Sequence, residues 1–211
     1  MSTETTTRAA TRTRGRPREF DTDEVLDRVV ELFWEQGFEA TSMSDIVEVT
    51  GLNKSSLYNS FGSKDQLFQT ALARYTSRRE QMIHAGLRDG TAGLDDIMMF
   101  LEMVEIEMTS DTGSRGCLAI NTSTELGRCD QSVVEMGTRF RGEMRSSIRA
   151  ALDRAAELGE IGPAAVEHRV EMLVAFMMSL GVVARGGAPK AELDGQLAAM
   201  RGLVDSWRLD S

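Results

Sequence analysis

The chain has 211 residues, 41% of them hydrophobic and 6% aromatic, with three prolines and a net charge of −9. That composition suits a globular helical core, and two cysteines, Cys117 and Cys129, are too few for a disulfide framework and suit a reducing compartment. No window approaches the roughly 18 apolar residues needed to cross a bilayer, and the first residues lack the apolar stretch of a secretory signal, so a cytoplasmic location with no membrane contact is expected.

Residues 1–20 carry five arginines against two glutamates and almost no apolar side chains, which reads as a disordered basic arm. A first helix is predicted from Asp21 or Thr22, with Asp23 and Glu24 toward the positive end of its dipole. Leu26, Val29, Val30 and Phe33 give it an apolar stripe, and Gly37 ends it. Thr41 or Ser42 can cap a short second helix bearing Met43, Ile46 and Val47. Gly51 breaks that helix, and Asn53 can cap a third running to about Ser60. Ser63 and Gln66 have capping-box spacing and open a long fourth helix reaching about Leu87, its buried face carrying Leu67, Phe68, Ala71, Leu72 and Tyr75.

Beyond a break at Gly90–Gly93, helices are predicted over Leu94–Met108, Cys117–Leu126, Asp130–Leu158, Ala164–Ala184 and Ala191–Trp207, punctuated by glycine and proline. The fold class is therefore all-α with about nine helices and no convincing strand pair. Three parts are expected: the arm at 1–20, a helix-turn-helix domain at 21–82 and a larger helical domain at 83–211. The acidity is unevenly placed, at +3, −5 and −7 over these three parts. No acid occurs between Glu48 and Asp65, where Lys54 and Lys64 lie, so the global sign says little about phosphate contact.

The informative stretch is TSMSDIVEVTGLNKSSLYNSFGSKDQLF, residues 41–68. Two short helices joined at Gly51 fit a helix-turn-helix, in which the first braces the second across the major groove. Ile46, Val49, Leu52, Leu57 and Phe61 fall where these helices and the first must share a core. Lys54, Ser55, Ser56, Tyr58 and Asn59 are left for the outside, as short polar groups and a lysine that can approach base edges and a tyrosine that can reach sugar or phosphate. The same pattern also fits an ordinary helical hairpin with a solvated face.

Residues 15–75 resemble the DNA-binding domain of the TetR family of bacterial transcriptional regulators. The likeness is carried by FWEQGFEATS at the end of the first helix, then by DIVEVTGLNKSSLYNSFGSKDQLF, with its G-L-x-K-x-x-L-Y-x-x-F core and the following S-K-x-x-L. Departures are Ser55, Ser60, Val47, Val49 and Thr50, which bear on operator sequence and local packing. The resemblance implies that Thr41 and Ser42 donate to phosphates, that Lys54, Ser55, Ser56, Tyr58 and Asn59 divide between bases and backbone, and that Lys64 meets a phosphate at the start of the fourth helix. Arg14, Arg16 and Arg18 make an R-G-R-P-R arm suited to a narrow minor groove, or else a solubilising tail.

In the larger part, the resemblance implies dimerisation and an effector pocket. The last two helices are rich in Met, Val, Ala and Gly, compatible with a four-helix bundle shared by a homodimer or with intramolecular core. Methionines such as Met99 and Met103, with Cys117, Asn121 and Phe176, are the candidate lining for a small apolar or thiol-reactive effector. Cys117, near a predicted helix start and beside Arg115, reads either as a reactive thiol or as a buried structural cysteine. His84 and His168 have no ligand cluster at metal spacing, and no nucleophile, P-loop or dinucleotide motif occurs. No metal, cofactor or catalytic residue is expected. The expected function is a ligand-responsive repressor binding a palindromic double-stranded operator; the alternatives are a thiol-sensing regulator and a helical ligand carrier with a vestigial helix-turn-helix.

Overall fold

The computed structural model describes residues 20–110, 112–127 and 129–209, and among them every regular element is helical. Asp21 caps α1 (Thr22–Gln36) by accepting from the backbone N–H groups of Asp23 and Glu24. The stripe read from the sequence is the buried face of α1, and Phe33 at its end meets Phe68 edge-on with ring centroids 4.8 Å apart. Ser42 caps α2 (Met43–Thr50) in a reciprocal box with Asp45. Asn53 caps α3 (Lys54–Phe61), and Ser63 caps α4 (Lys64–Arg79) in a second box with Gln66.

The fourth helix is long, as expected, but not uniform. At Glu80 it widens into one π-helical turn, Glu80–His84, and resumes as α5 (Ala85–Asp89). This interruption makes ten α-helices among the described residues where nine were expected. The boundary expected between residues 82 and 83 falls inside the π turn.

The remaining helices are α6 (Leu94–Met108), α7 (Leu118–Leu126), α8 (Gln131–Glu157), α9 (Val166–Arg185) and α10 (Lys190–Asp205). At 27 residues α8 is about 40 Å long and forms the spine of the larger domain. It packs along α9 and against α5, α6 and α7, while α10 lies on α6. Arg154 on α8 closes the α5–α6 connection by donating to the Leu87 and Arg88 carbonyls and to Asp96. No helix in the described residues is long and apolar enough to cross a membrane.

The start of α7 meets α9 at two glycines. A Cβ on Gly116 would stand 2.6 Å from the Gly181 carbonyl, and Gly116 has φ +66°, a backbone state that disfavours any side chain. That close approach places Gly116 and Cys117 against α9, and the Gly116 carbonyl also meets Trp34 near the end of α1. The N-terminal helices and the larger domain are thereby held together by polar ties, described next.

Candidate functional site

The turn between α2 and α3 depends on Gly51, at φ 70° and ψ 7°; open space surrounds its Cα, so its conformation rather than crowding calls for glycine. Ile46 from α2 and Leu57 from α3 are fully buried, with Val49, Leu52 and Phe61 packed against the same core. Burial of that kind contributes about 2 kcal/mol per large aliphatic side chain and fixes which face of α3 points outward. On that face Lys54, Ser55, Tyr58 and Asn59 are exposed, Tyr58 at 49%. Ser56 is half-buried, and its backbone N–H donates to Asn53 Oδ1 at 2.8 Å.

Two residues expected at phosphates are turned inward instead. Thr41 is 1% exposed and its hydroxyl donates to the Gly37 carbonyl at 2.6 Å. Its neighbour Ser42 is exposed, though its backbone N–H is already held by Asp45 Oδ2 at 2.7 Å, which leaves the hydroxyl as its reach toward phosphate. The bonds to Ser42 in turn hold the Asp45 carboxyl below its usual pKa. Lys64 donates to the Phe38 and Thr41 carbonyls at 2.8 and 2.7 Å, with Nζ 4.2 Å from the Phe38 ring centroid. This ammonium holds the loop between α1 and α2 rather than standing open to a phosphate. The motif pattern could not reveal it, because the carbonyls it serves lie more than twenty residues away. Arg14, Arg16 and Arg18 lie outside the described residues.

The reading head formed by α1–α3 and the first turns of α4 is tied to the larger domain at several points. Trp34 Nε1 donates to the Gly116 carbonyl at 3.0 Å. Arg185 at the end of α9 donates to the Trp34 and Glu35 carbonyls, and the Glu125 carboxylate accepts from the Phe38 and Glu39 N–H groups. Arg115 pairs with Glu31, so its guanidinium is committed to α1.

The five residues expected to line an effector pocket are not brought together. Met99 is 55% exposed, because the buried face of α6 runs through Ile97, Phe100, Leu101, Val104 and Met108 and leaves 99 outside it. Asn121 donates to the Arg115 carbonyl at 2.7 Å, and Phe176 is half-buried on α9. Cys117 precedes α7 as expected but is 4% exposed, its Sγ 3.5 Å from the Tyr75 hydroxyl. Burial pushes that phenol well above its usual pKa, so it stays protonated and can donate to the sulfur while accepting from Leu118 N–H at 3.2 Å.

Met103 does line a groove, together with Tyr75, which the sequence placed only in the core of the fourth helix, and with Trp34, Arg79, Met82 and Ile106, which it did not assign to a pocket. The available signal was a second apolar stripe on α6, Met99–Met103–Ile106, out of register with the buried one. Nothing in the sequence marks Arg79, which is buried by tertiary packing against Glu107 and Tyr75.

Residues 25–71 match the family model described as "Bacterial regulatory proteins, tetR family". The HTH-type transcriptional repressor ComR of Escherichia coli (strain K12) is 31% identical over 198 residues, covering 92% of each chain. The chain belongs to the tetR family. Among solved structures, the tetR-family regulator CifR, as a cysteine variant complexed with 26-base-pair operator DNA, is 27% identical with a TM-score of 0.79, covering 92% of this chain and all of that one. A TetR regulator from Chloroflexus aurantiacus J-10-FL, 24% identical over 89% of this chain and 96% of its own, shares the fold with a TM-score of 0.79. Like its tetR relatives, the chain is a DNA-binding transcriptional regulator with a helix-turn-helix head and a larger helical domain.

Proposed function

We propose that this chain is a ligand-responsive repressor that acts as a homodimer, seating one α3 per protomer in successive major grooves of a palindromic operator. The observation that carries the reading is the outward face of α3, where Lys54, Ser55, Tyr58 and Asn59 stand clear of the fold above a fully buried Leu57. Residues 21–82 read the duplex and the basic arm follows the adjacent minor groove. Residues 83–211 pair the protomers and sense a small effector. The protein acts in the cytoplasm, where its operator lies.

Pairing is supported by the free faces of the last two helices. On α9, Met172 and Val182 are 38% and 49% exposed, with Phe176 half-buried between them. On α10, Gly195, Ala198, Ala199, Gly202 and Leu203 make an exposed face of small and apolar residues, which allows close helix approach across a two-fold axis.

The test is a mobility shift on duplexes selected from a randomised library, with light scattering on the same sample. A dimer that retards selected duplexes, and loses about 1–3 kcal/mol of that affinity in Lys54→Ala or Asn59→Ala, supports the reading. A monomer, or retardation that ignores sequence, sinks it.

A further inference from the structure

We propose that the effector, within the regulator reading above, sits in the groove between α1, α4 and α6, and that it is a flat, uncharged aromatic molecule. The groove has a volume of about 440 Å³, inside the range of roughly 300–1,000 Å³ that small-molecule sites occupy. Its walls come from both sides of the tie between head and larger domain: Trp34 on α1, Tyr75 and Arg79 on α4, Met82 in the π turn, and Met103 and Ile106 on α6. Sensing is thus shared between residues 21–82 and the larger domain rather than confined to the latter.

Three observations select the ligand chemistry. Met82 and Ile106 are 75% and 72% exposed, the two most exposed large hydrophobic side chains among the described residues, and both border this groove. Two large apolar groups left in water at one concavity gain by being covered. The lining is also aromatic and thioether-rich, with the Trp34 and Tyr75 rings edge-to-face at 5.2 Å and Met82 and Met103 in the same groove, surfaces that favour a ring over an alkyl chain.

Charge supplies the third. Each charged group of the lining has an ion-pair partner, since Arg74 and Arg78 share Asp27, Arg79 holds Glu107 Oε1 and Glu31 takes Arg115, but Glu107 Oε2 is buried without a hydrogen-bond partner. The polar atom left open is therefore an acceptor, which suits the hydroxyl of a neutral phenol and disfavours an anion. A protein partner fits poorly as well, since stable interfaces bury about 800 Å² per side and the apolar exposure here is confined to a few side chains around a concavity.

The position explains how occupancy reaches DNA. The Trp34 indole that walls the groove is also the group whose N–H holds the Gly116 carbonyl. A ring wedged against it acts on the contact that sets α1 relative to α7, and DNA release follows if the occupied groove prefers a different setting.

Calorimetry on the full chain with 2-naphthol as the probe and decanoate as the aliphatic comparison tests this, alongside retardation of a selected duplex. Ile106→Glu and Met82→Glu place a charge at two exposed lining positions, where we expect the fold to be retained. We expect one 2-naphthol per chain, at least tenfold weaker binding in either variant, little decanoate binding, and several-fold lower duplex affinity at saturation. Binding that is absent, unchanged in both variants, or stronger for decanoate overturns the assignment of groove and ligand. Binding that leaves duplex affinity unchanged overturns the effector role. A chain that retards no duplex even without probe overturns the regulator reading instead, and calorimetry still decides the groove.

Discussion

The Arg185 guanidinium donates to the main-chain oxygen of Trp34 at 3.1 Å, with a second bond to Glu35 at 3.2 Å. Residues 151 positions apart in sequence thus join the last turn of α9 to the last turn of α1. The cation occupies the negative end of the α1 dipole and supplies donors to carbonyls that the helix leaves unpaired. A helix proposed for dimerisation and a helix of the reading head therefore share an end.

Replacing Arg185 with Ala removes both bonds at a partly hydrated site, and we expect a loss of about 1 kcal/mol in urea unfolding. Arg185→Lys should recover part of the loss, because one ammonium can still serve one carbonyl. Equal stability of Arg185→Ala and the parent chain would contradict the capping role.

Lys54 and Lys64 should separate cleanly. Lys64→Met strands the Thr41 carbonyl and leaves the Phe38 carbonyl with the Thr41 N–H alone, and is expected to cost about 1–2 kcal/mol of stability. Lys54→Ala, at an exposed position, should change stability by less than about 0.5 kcal/mol while weakening duplex binding. Parallel denaturation and retardation assays decide the point, and a destabilised Lys54→Ala beside an unaffected Lys64→Met would reverse the two assignments.

His84 gives the fold a predictable acid response. The side chain is 3% exposed, its Nδ1 has no partner, and burial together with Arg79 and Arg88 lowers its pKa to about 4. The unfolded chain, with an ordinary histidine pKa near 6.5, binds a proton that the folded chain refuses. This group's effect is therefore absent above about pH 6.5 and destabilises the fold progressively as pH falls toward 4, by at most about 3 kcal/mol. Unfolding free energies measured across that window should fall less steeply in His84→Met, and identical slopes would refute the assignment.

The two thiols should differ sharply toward Ellman's reagent. Cys129 is exposed and should react at once, whereas Cys117 is buried beside Tyr75 and should react only as fast as the structure opens. Two fast thiols in the native chain, with one remaining in Cys129→Ser, would place Cys117 in contact with solvent.

Local features were largely legible from the residues. The caps at Asp21, Ser42, Asn53 and Ser63 and the extent of α6 follow from side-chain oxygen placement and apolar spacing, which act over a few residues. The π turn was not legible, because an added residue in a helix leaves the flanking periodicity intact on either side. Thr41 and Lys64 look like surface groups in the motif, and only the folded loop at Phe38 turns them inward. The groove was half visible: the second stripe on α6 could be read, but Arg79 and Trp34 join it only through packing of distant segments.

The inward lysine has a consequence for ionic strength. A cation that displaces no counterion from the duplex adds nothing to the steepness with which affinity falls as salt is raised, a slope of about −0.9 per phosphate neutralised. With Lys64 held by two carbonyls, the folded head brings fewer effective cations to the backbone than its composition suggests. Its hold on DNA should therefore fade gently with added salt, and a larger share of the remaining steepness should be removed by trimming residues 1–20.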